Sequence, residues 1–391
     1  MAEIQIPEEY EGEEEIEILF DEDDNLVDPS LMDSDQQTEF NDNLAEFLDS
    51  STLSEISSKV LTNFQNDLDS REDWYETFKD GLELLGIQND PRSEPFEGAS
   101  GVYHPLLAEA VTHFQAQAYK ELLPANGPVD TKVMGASSDP KAMQANRVKD
   151  FMNYQLLYKM EEYDPEMDQM LFFLPLAGSA FKKCYFDPAI GRIVSRFIKA
   201  EDLVVPYSAT DLHTSPRITH RMSMTENDLL KLQLSGFYLD TDMNAPMYGG
   251  DNDSVQSKID EIDGVTRTGD QHDFTLLECH TELDIEGFEH TDSEGEPTGL
   301  ALPYIVTVCK DTNDVLAIRR NYVETDPMRK KVEYFTHFKF LPGLGFYGFG
   351  LIHMIGGVTK SATAILRQLI DAGTLANLPA GFKARGLNIQ R

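Results

Sequence analysis

The stretch Phe340–Ala380, FLPGLGFYGFGLIHMIGGVTKSATAILRQLIDAGTLANLPA, sets a glycine- and aromatic-rich turn directly before one long apolar-striped segment. Ile355, Val358, Ala362, Ile365, Leu369 and Ala372 recur at alternating spacings of three and four, which draws one apolar stripe down a helix and begins a heptad seam. The helix is predicted to end at Gly373, ahead of a Pro-Ala-Gly turn. Its residues suit packing and lack the groupings of an active site. Lys360, Arg367 and Asp371 fall on a polar face away from the seam. In a single globule that is an ordinary solvated face, whereas in a ring of identical subunits it would line a central passage.

The turn itself matches G-x-G-x-x-G at Gly343, Gly345 and Gly348, between a predicted strand and a predicted helix. A dinucleotide fingerprint needs a parallel βαβ unit, yet the preceding strands read as an antiparallel meander, and no strand with an acidic end follows the helix. Phe346 and Tyr347 also add bulk where a pyrophosphate would approach the backbone. The expectation is therefore a flexible joint, with Gly343, Gly345, Gly348, Gly350, Gly356 and Gly357 as its hinge residues, and no bound nucleotide.

Working outward, 391 residues with 41% hydrophobic and 10% aromatic side chains are enough for sizeable folded cores. The formal charge of −37 is unevenly placed, since residues 1–50 hold nineteen Asp and Glu and no Lys or Arg. A protein that grips DNA by neutralising phosphates would be basic, so this composition excludes a DNA-wrapping role. It fits either a protein with no nucleic-acid role or a conduit to which DNA must not adhere. Residues 1–42 have low hydrophobicity and read as a disordered acidic arm.

Residues 43–178 read as helical. A capping box at Thr52 and Glu55 precedes Leu53, Ile56, Val60, Leu61, Phe64 and Leu68 at helical spacing. Trp74, Phe78, Leu82 and Leu85 mark a second helix stopped by Gly86, and further helices are predicted from Pro105 to Pro124, Pro140 to Met160 and Pro165 to Ala177. From residue 179 to 350 the pattern turns to β: a hairpin over AFKKCYFD and RIVSRFI, a short strand at Glu201–Pro206, and strands at Phe274–Leu283, Tyr304–Lys310, Val315–Tyr322 and Lys331–Phe340. A small helix capped by Thr225 interrupts them, and residues 240–272 read as a mobile insertion. The fold class is α+β.

Cys184, Cys279 and Cys309 are odd in number and widely spaced, so they imply no disulfide framework and read as buried strand cysteines. The nine histidines make no zinc-type spacing and no G-x-S-x-G elbow occurs, so neither a metal site nor a hydrolase is expected. No apolar run approaches the ~20 residues a bilayer span requires. The expectation is a non-enzymatic protein without cofactor or metal.

The run GLGFYGFGLIHMIGGVTKSATAILRQLIDAGTLANLPAGFKARGL, with KCYFDPAIGRIVSRFIKAEDLVVPYSATDL upstream, resembles portal proteins of short-tailed and related bacteriophages. That resemblance spans roughly residues 150–391 and weakens before Ser70. It implies a dodecameric homo-oligomeric ring at one capsid vertex, through which the terminase motor drives double-stranded DNA inward and from which DNA later leaves. It also implies docking to the terminase large subunit, tail adaptors and capsid or scaffold proteins, with localisation to the virion, and to host cytoplasm during assembly. On that template residues 43–350 would be wing, a protruding stem-type helix would span 351–376, and 377–391 would begin the clip. Ile355, Val358, Ala362, Ile365 and Leu369 would pack neighbouring subunits, with Lys360, Arg367 and Asp371 facing the channel. Family members continue with a returning stem helix and crown, so a chain stopping at Arg391 is expected to be truncated. A generic acidic scaffold protein is the alternative, and a nucleotide-binding enzyme is the weakest reading.

Overall fold

The computed structural model describes residues 39–86, 92–135, 138–187, 190–241, 258, 273–291 and 296–377. The acidic arm up to residue 38, nearly all of the 240–272 insertion and the clip residues after Asn377 lie outside them.

The chain is α+β, as its periodicities predict. Helix α1 spans Ser50–Ser70, and its cap is Asp49, whose carboxylate accepts from the Ser51 amide at 3.2 Å. The cap thus lies ahead of the expected Thr52 box, because an aspartate in extended conformation offers an ionised acceptor to the free amides of the first turn. Helix α2 (Glu72–Leu82) continues into a 3-10 turn and stops at Gly86, which takes a left-handed φ of 66°. Helices α3 (Leu106–Leu122), α4 (Asp139–Tyr154) and α5 (Tyr163–Ala177) follow, and α4 runs into a π-helical turn over Gln155–Lys159.

Strands β1 (Ser179–Asp187) and β2 (Arg192–Lys199) form the expected hairpin. Then come β3 (Leu203–Val204), β4 (Arg217–Thr225), helix α6 (Glu226–Leu234), β5 (Asp273–Leu283), β6 (Leu302–Cys309), β7 (Val315–Arg320), β8 (Phe335–Lys339) and helix α7 (Leu351–Asn377). Two antiparallel sheets result, ordered β2-β1-β8 and β3-β4-β5-β6-β7. The sequence reading lacks β4, whose RITHRMSMT carries too few strongly apolar residues to stand out. It is a strand because it is held between neighbours in the sheet. The expected strand Lys331–Phe340 shortens to β8, which leaves the meander and pairs with β1.

Trp74, Phe78, Leu107, Phe181, Phe346 and Tyr347 are core residues where α2 and α3 meet the β-rich part of the chain. Cys279 and Cys309 are buried as expected, with burial pushing the Cys279 thiol up to about 11, but Cys184 is exposed on β1. A strand's alternation turns its side chain outward on a half-solvated sheet.

Helix α4 is set apart from this core. A strap over residues 129–131 holds it: Asn153 pairs both its amide oxygen and nitrogen with the Val129 backbone at 2.9 and 3.1 Å, Thr131 donates to Ala145 O, and Lys149 bridges Asp130 at 2.8 Å. Asn153 is the buried residue of the helix.

The β2–β3 corner carries a titratable strain. Glu201 is buried with neither carboxylate oxygen hydrogen-bonded, and burial, then the charge of Asp202, pushes its carboxyl up to about 7 despite Lys199 at 3.7 Å. Between its ordinary value of 4.5 and 7 the native state binds more protons than the unfolded chain. The Glu201 contribution to stability is therefore fully present below the lower value and lost as pH rises through the upper one. Urea unfolding at pH 5 and pH 8 is expected to show Glu201→Gln gaining about 1–3 kcal/mol on wild type as pH rises. A pH-independent difference between the two proteins would show that this carboxyl titrates normally.

Candidate functional site

The polypeptide reaches α7 through a closely woven crossing. The amides of Phe346, Gly348 and Phe349 donate to Tyr207 O, Ser179 Oγ and Leu341 O, and that of Gly350 donates to His353 Nδ1. Those backbone groups are the ones a phosphate-cradling turn would present outward, and here they are satisfied within the chain. A Cβ at Gly348 would lie 2.4 Å from Gly178 O, and at Gly350 it would lie 2.1 Å from Leu176 O. At Gly345 it would meet the Tyr207 ring at 2.4 Å, and at Gly343 the Tyr347 carbonyl at 2.1 Å. Glycine is therefore required at Gly343, Gly348 and Gly350 for close backbone approach, and at Gly345 for the Tyr207 ring. Gly356 lies at ordinary contact distance from Leu84, and Gly357 faces open space.

Two aromatic residues lock the crossing from beneath. Phe346 stacks on Phe181 and His337, while Tyr347 stacks on Trp74 with ring centres 4.6 Å apart. The Tyr347 hydroxyl accepts from Arg71 Nη1 at 2.8 Å and donates to Leu203 O at 2.9 Å, and burial raises its pKa. Arg71 is only 2% exposed. Its remaining donors reach Ala200 O, Glu201 O and Leu203 O at 2.7, 2.6 and 3.1 Å. Arg71 does not stand out in the sequence, because an arginine between two helices ordinarily faces water, and Tyr347 stands out there only as bulk within the turn.

Helix α7 then presents two unlike faces. The inward one is small and polar: Ile352 seats over Gly81 of α2, followed by Gly356, Thr359, Thr363 and Asp371, all buried. Thr363 Oγ1 accepts from the His104 amide at 3.1 Å and Asp371 from the Ser100 amide at 2.7 Å. Arg367 donates to Val102 O at 2.8 Å and Gly101 O at 3.3 Å, with its guanidinium 4.3 Å from the Tyr103 ring centre. These side chains satisfy backbone groups of a segment that belongs to no sheet. Of the three residues expected on an outer polar face, Arg367 and Asp371 are thus occupied by the 100–104 segment of their own chain, and Lys360 is exposed.

The outward face is the apolar one. Val358, Ile365 and Leu369 are 60%, 63% and 70% exposed, Met354 and Leu375 accompany them, and Ile355 and Ala362 lie half-buried on the flank. The helix also passes through Gly373 without a break and reaches Asn377. The exposed apolar stripe thus lies opposite a face whose polar groups are satisfied within the chain.

Other polar clusters look structural. Lys183 of β1 bridges both oxygens of Glu278 of β5 at 2.6 Å, and His280 adds a bond at 2.8 Å. Burial acts to raise the Glu278 carboxyl, but the His280 bond and the Lys183 charge outweigh it and hold it well below the usual range. This triad ties one sheet to the other. Among the described residues no group of three or more His, Cys, Asp and Glu is placed to hold a metal ion, and no helix is long and apolar enough to cross a membrane. No protein-family model matches the chain, and no curated protein matches it either.

Proposed function

We propose that this chain is a subunit of a bacteriophage portal, a ring of identical copies at a capsid vertex. Double-stranded DNA would be driven through it by the terminase large subunit and later released, with tail adaptors and capsid or scaffold proteins docking on its outside. The observation that carries this reading is the outward stripe of Val358, Ile365 and Leu369 on a helix whose opposite face is already used. The resemblance of the 340–380 run to portal stems supplies the assembly that such a stripe would serve. The net charge of −37 favours a passage that DNA traverses without adhering. Work would come from the partner motor, since this reading assigns the chain no chemistry of its own.

Native mass measurement with electron microscopy of the purified protein tests the proposal. Heterologous contacts between identical subunits close into rings, and the resemblance to portal proteins implies about a dozen copies in each. The double variant Ile365→Asp, Leu369→Asp should abolish them while leaving unfolding stability within about 0.5 kcal/mol, because both side chains are exposed in the single subunit. Monomers and dimers alone across the concentration range would overturn the portal reading and leave an acidic scaffold protein.

A further inference from the structure

We infer that α4 and its π-helical turn form a second docking surface, and that its occupant is another copy of this chain. The helix buries one side chain, Asn153, and hangs on the 129–131 strap. Its outer surface carries Met143, Val148, Phe151, Met152, Tyr154 and Tyr158, with Phe151 60% and Tyr158 72% exposed. Helices in proteins draw most of their stability from packing an apolar face, and large apolar side chains left exposed around one point to a protein interface. The rings and methionines are also the residue types enriched at interface centres.

Charge selects the occupant. The segment from Asp139 to Lys159 holds Lys141, Arg147, Lys149 and Lys159 against Asp139 and Asp150, so it is a basic island in a chain of net charge −37. The acidic complement to that island is this same chain. Nucleic acid fits less well, because phosphate binding needs several cations free together. Here Lys149 is engaged by Asp130, and Lys159 sits 5.8 Å from the Tyr154 ring centre. A cycle of identical subunits also needs two different surfaces on each copy. The outward stripe of α7 is one, and the α4 surface is a second, separate in sequence. This inference rests on the ring reading only for the closure of the cycle; the contact between copies can be tested apart from it.

The experiment compares wild type with the double variant Phe151→Asp, Tyr158→Asp and with Arg147→Glu, following assembly by native mass measurement at low and high salt, and unfolding by urea. Both variants should remain folded with unchanged unfolding midpoints. The double variant should lose self-association, and Arg147→Glu should weaken it at least tenfold at low salt, with the gap narrowing as salt rises. A photo-crosslinking amino acid at position 151 should capture a second copy of the chain. Rings unchanged in both variants would overturn this inference and leave the portal reading intact. Wild type that forms only dimers, lost in the double variant, would sustain the α4 contact while overturning the ring. Capture of added duplex DNA at position 151, with self-association untouched, would also overturn it.

Discussion

Gly350→Ala is expected to destabilise the protein by more than about 3 kcal/mol, or to prevent folding, whereas Gly357→Ala should leave stability unchanged or raise it by up to about 1 kcal/mol. The two glycines stand seven residues apart and differ in what a methyl group would meet. At Gly350 the new carbon would fall 2.1 Å from Leu176 O and 2.6 Å from the Gly178 amide nitrogen. Both are backbone atoms, so no side chain can rotate aside. Relief would require the end of α5 to part from the start of α7, opening the core around Phe346 and Tyr347. At Gly357 nothing lies within 4 Å, and alanine reduces the conformational freedom lost on forming the helix. Urea titrations of both variants check the pair. A Gly350→Ala protein within about 1 kcal/mol of wild type would mean that the crossing is looser than described.

Arg71→Met should cost about 3–5 kcal/mol. Methionine retains much of the bulk, so the loss isolates the guanidinium. Its removal strands the buried carbonyls of Ala200 and Glu201 and takes one partner each from Leu203 O and the Tyr347 hydroxyl, which remain bonded to one another. It also removes the cation from beside the rings of Trp74, Tyr75 and Tyr347, the last with its centre 5.3 Å away. Tyr347→Phe deletes one member of the same network and should cost about 1 kcal/mol, with the pair less than additive because both changes break the same bond. Thermal or urea unfolding of the single and double variants checks this, and full additivity would show that the two side chains act independently.

How much of this was legible in the sequence differs from element to element. Trp74, Phe78, Leu82 and Leu85 at helical spacing, stopped by Gly86, gave α2 and its buried side directly, because local periodicity and a left-handed cap are local facts. The stripe on α7 was legible as a stripe, but not its orientation. Burial of one face depends on what lies opposite, and the partners of Thr363, Arg367 and Asp371 are backbone groups more than 250 positions away in the chain. The close packing of Gly348 and Gly350 is illegible for the same reason, since it is made against Leu176 and Gly178, distant residues that no pattern within the turn reveals. Strand β4 was missed because its neighbours in the sheet, and not its composition, make it a strand.

The anchorage of α7 has a mechanical consequence. Its 27 residues make a rod roughly 40 Å long at about 1.5 Å per residue, rooted in the glycine crossing and bound further along through Thr363, Arg367 and Asp371 to residues 100–104. A sideways force on α7 near Asn377 would reach both of these anchorages. It would be transmitted as torque through Gly178 to β1 and, by the Lys183–Glu278 tie, into the five-stranded sheet.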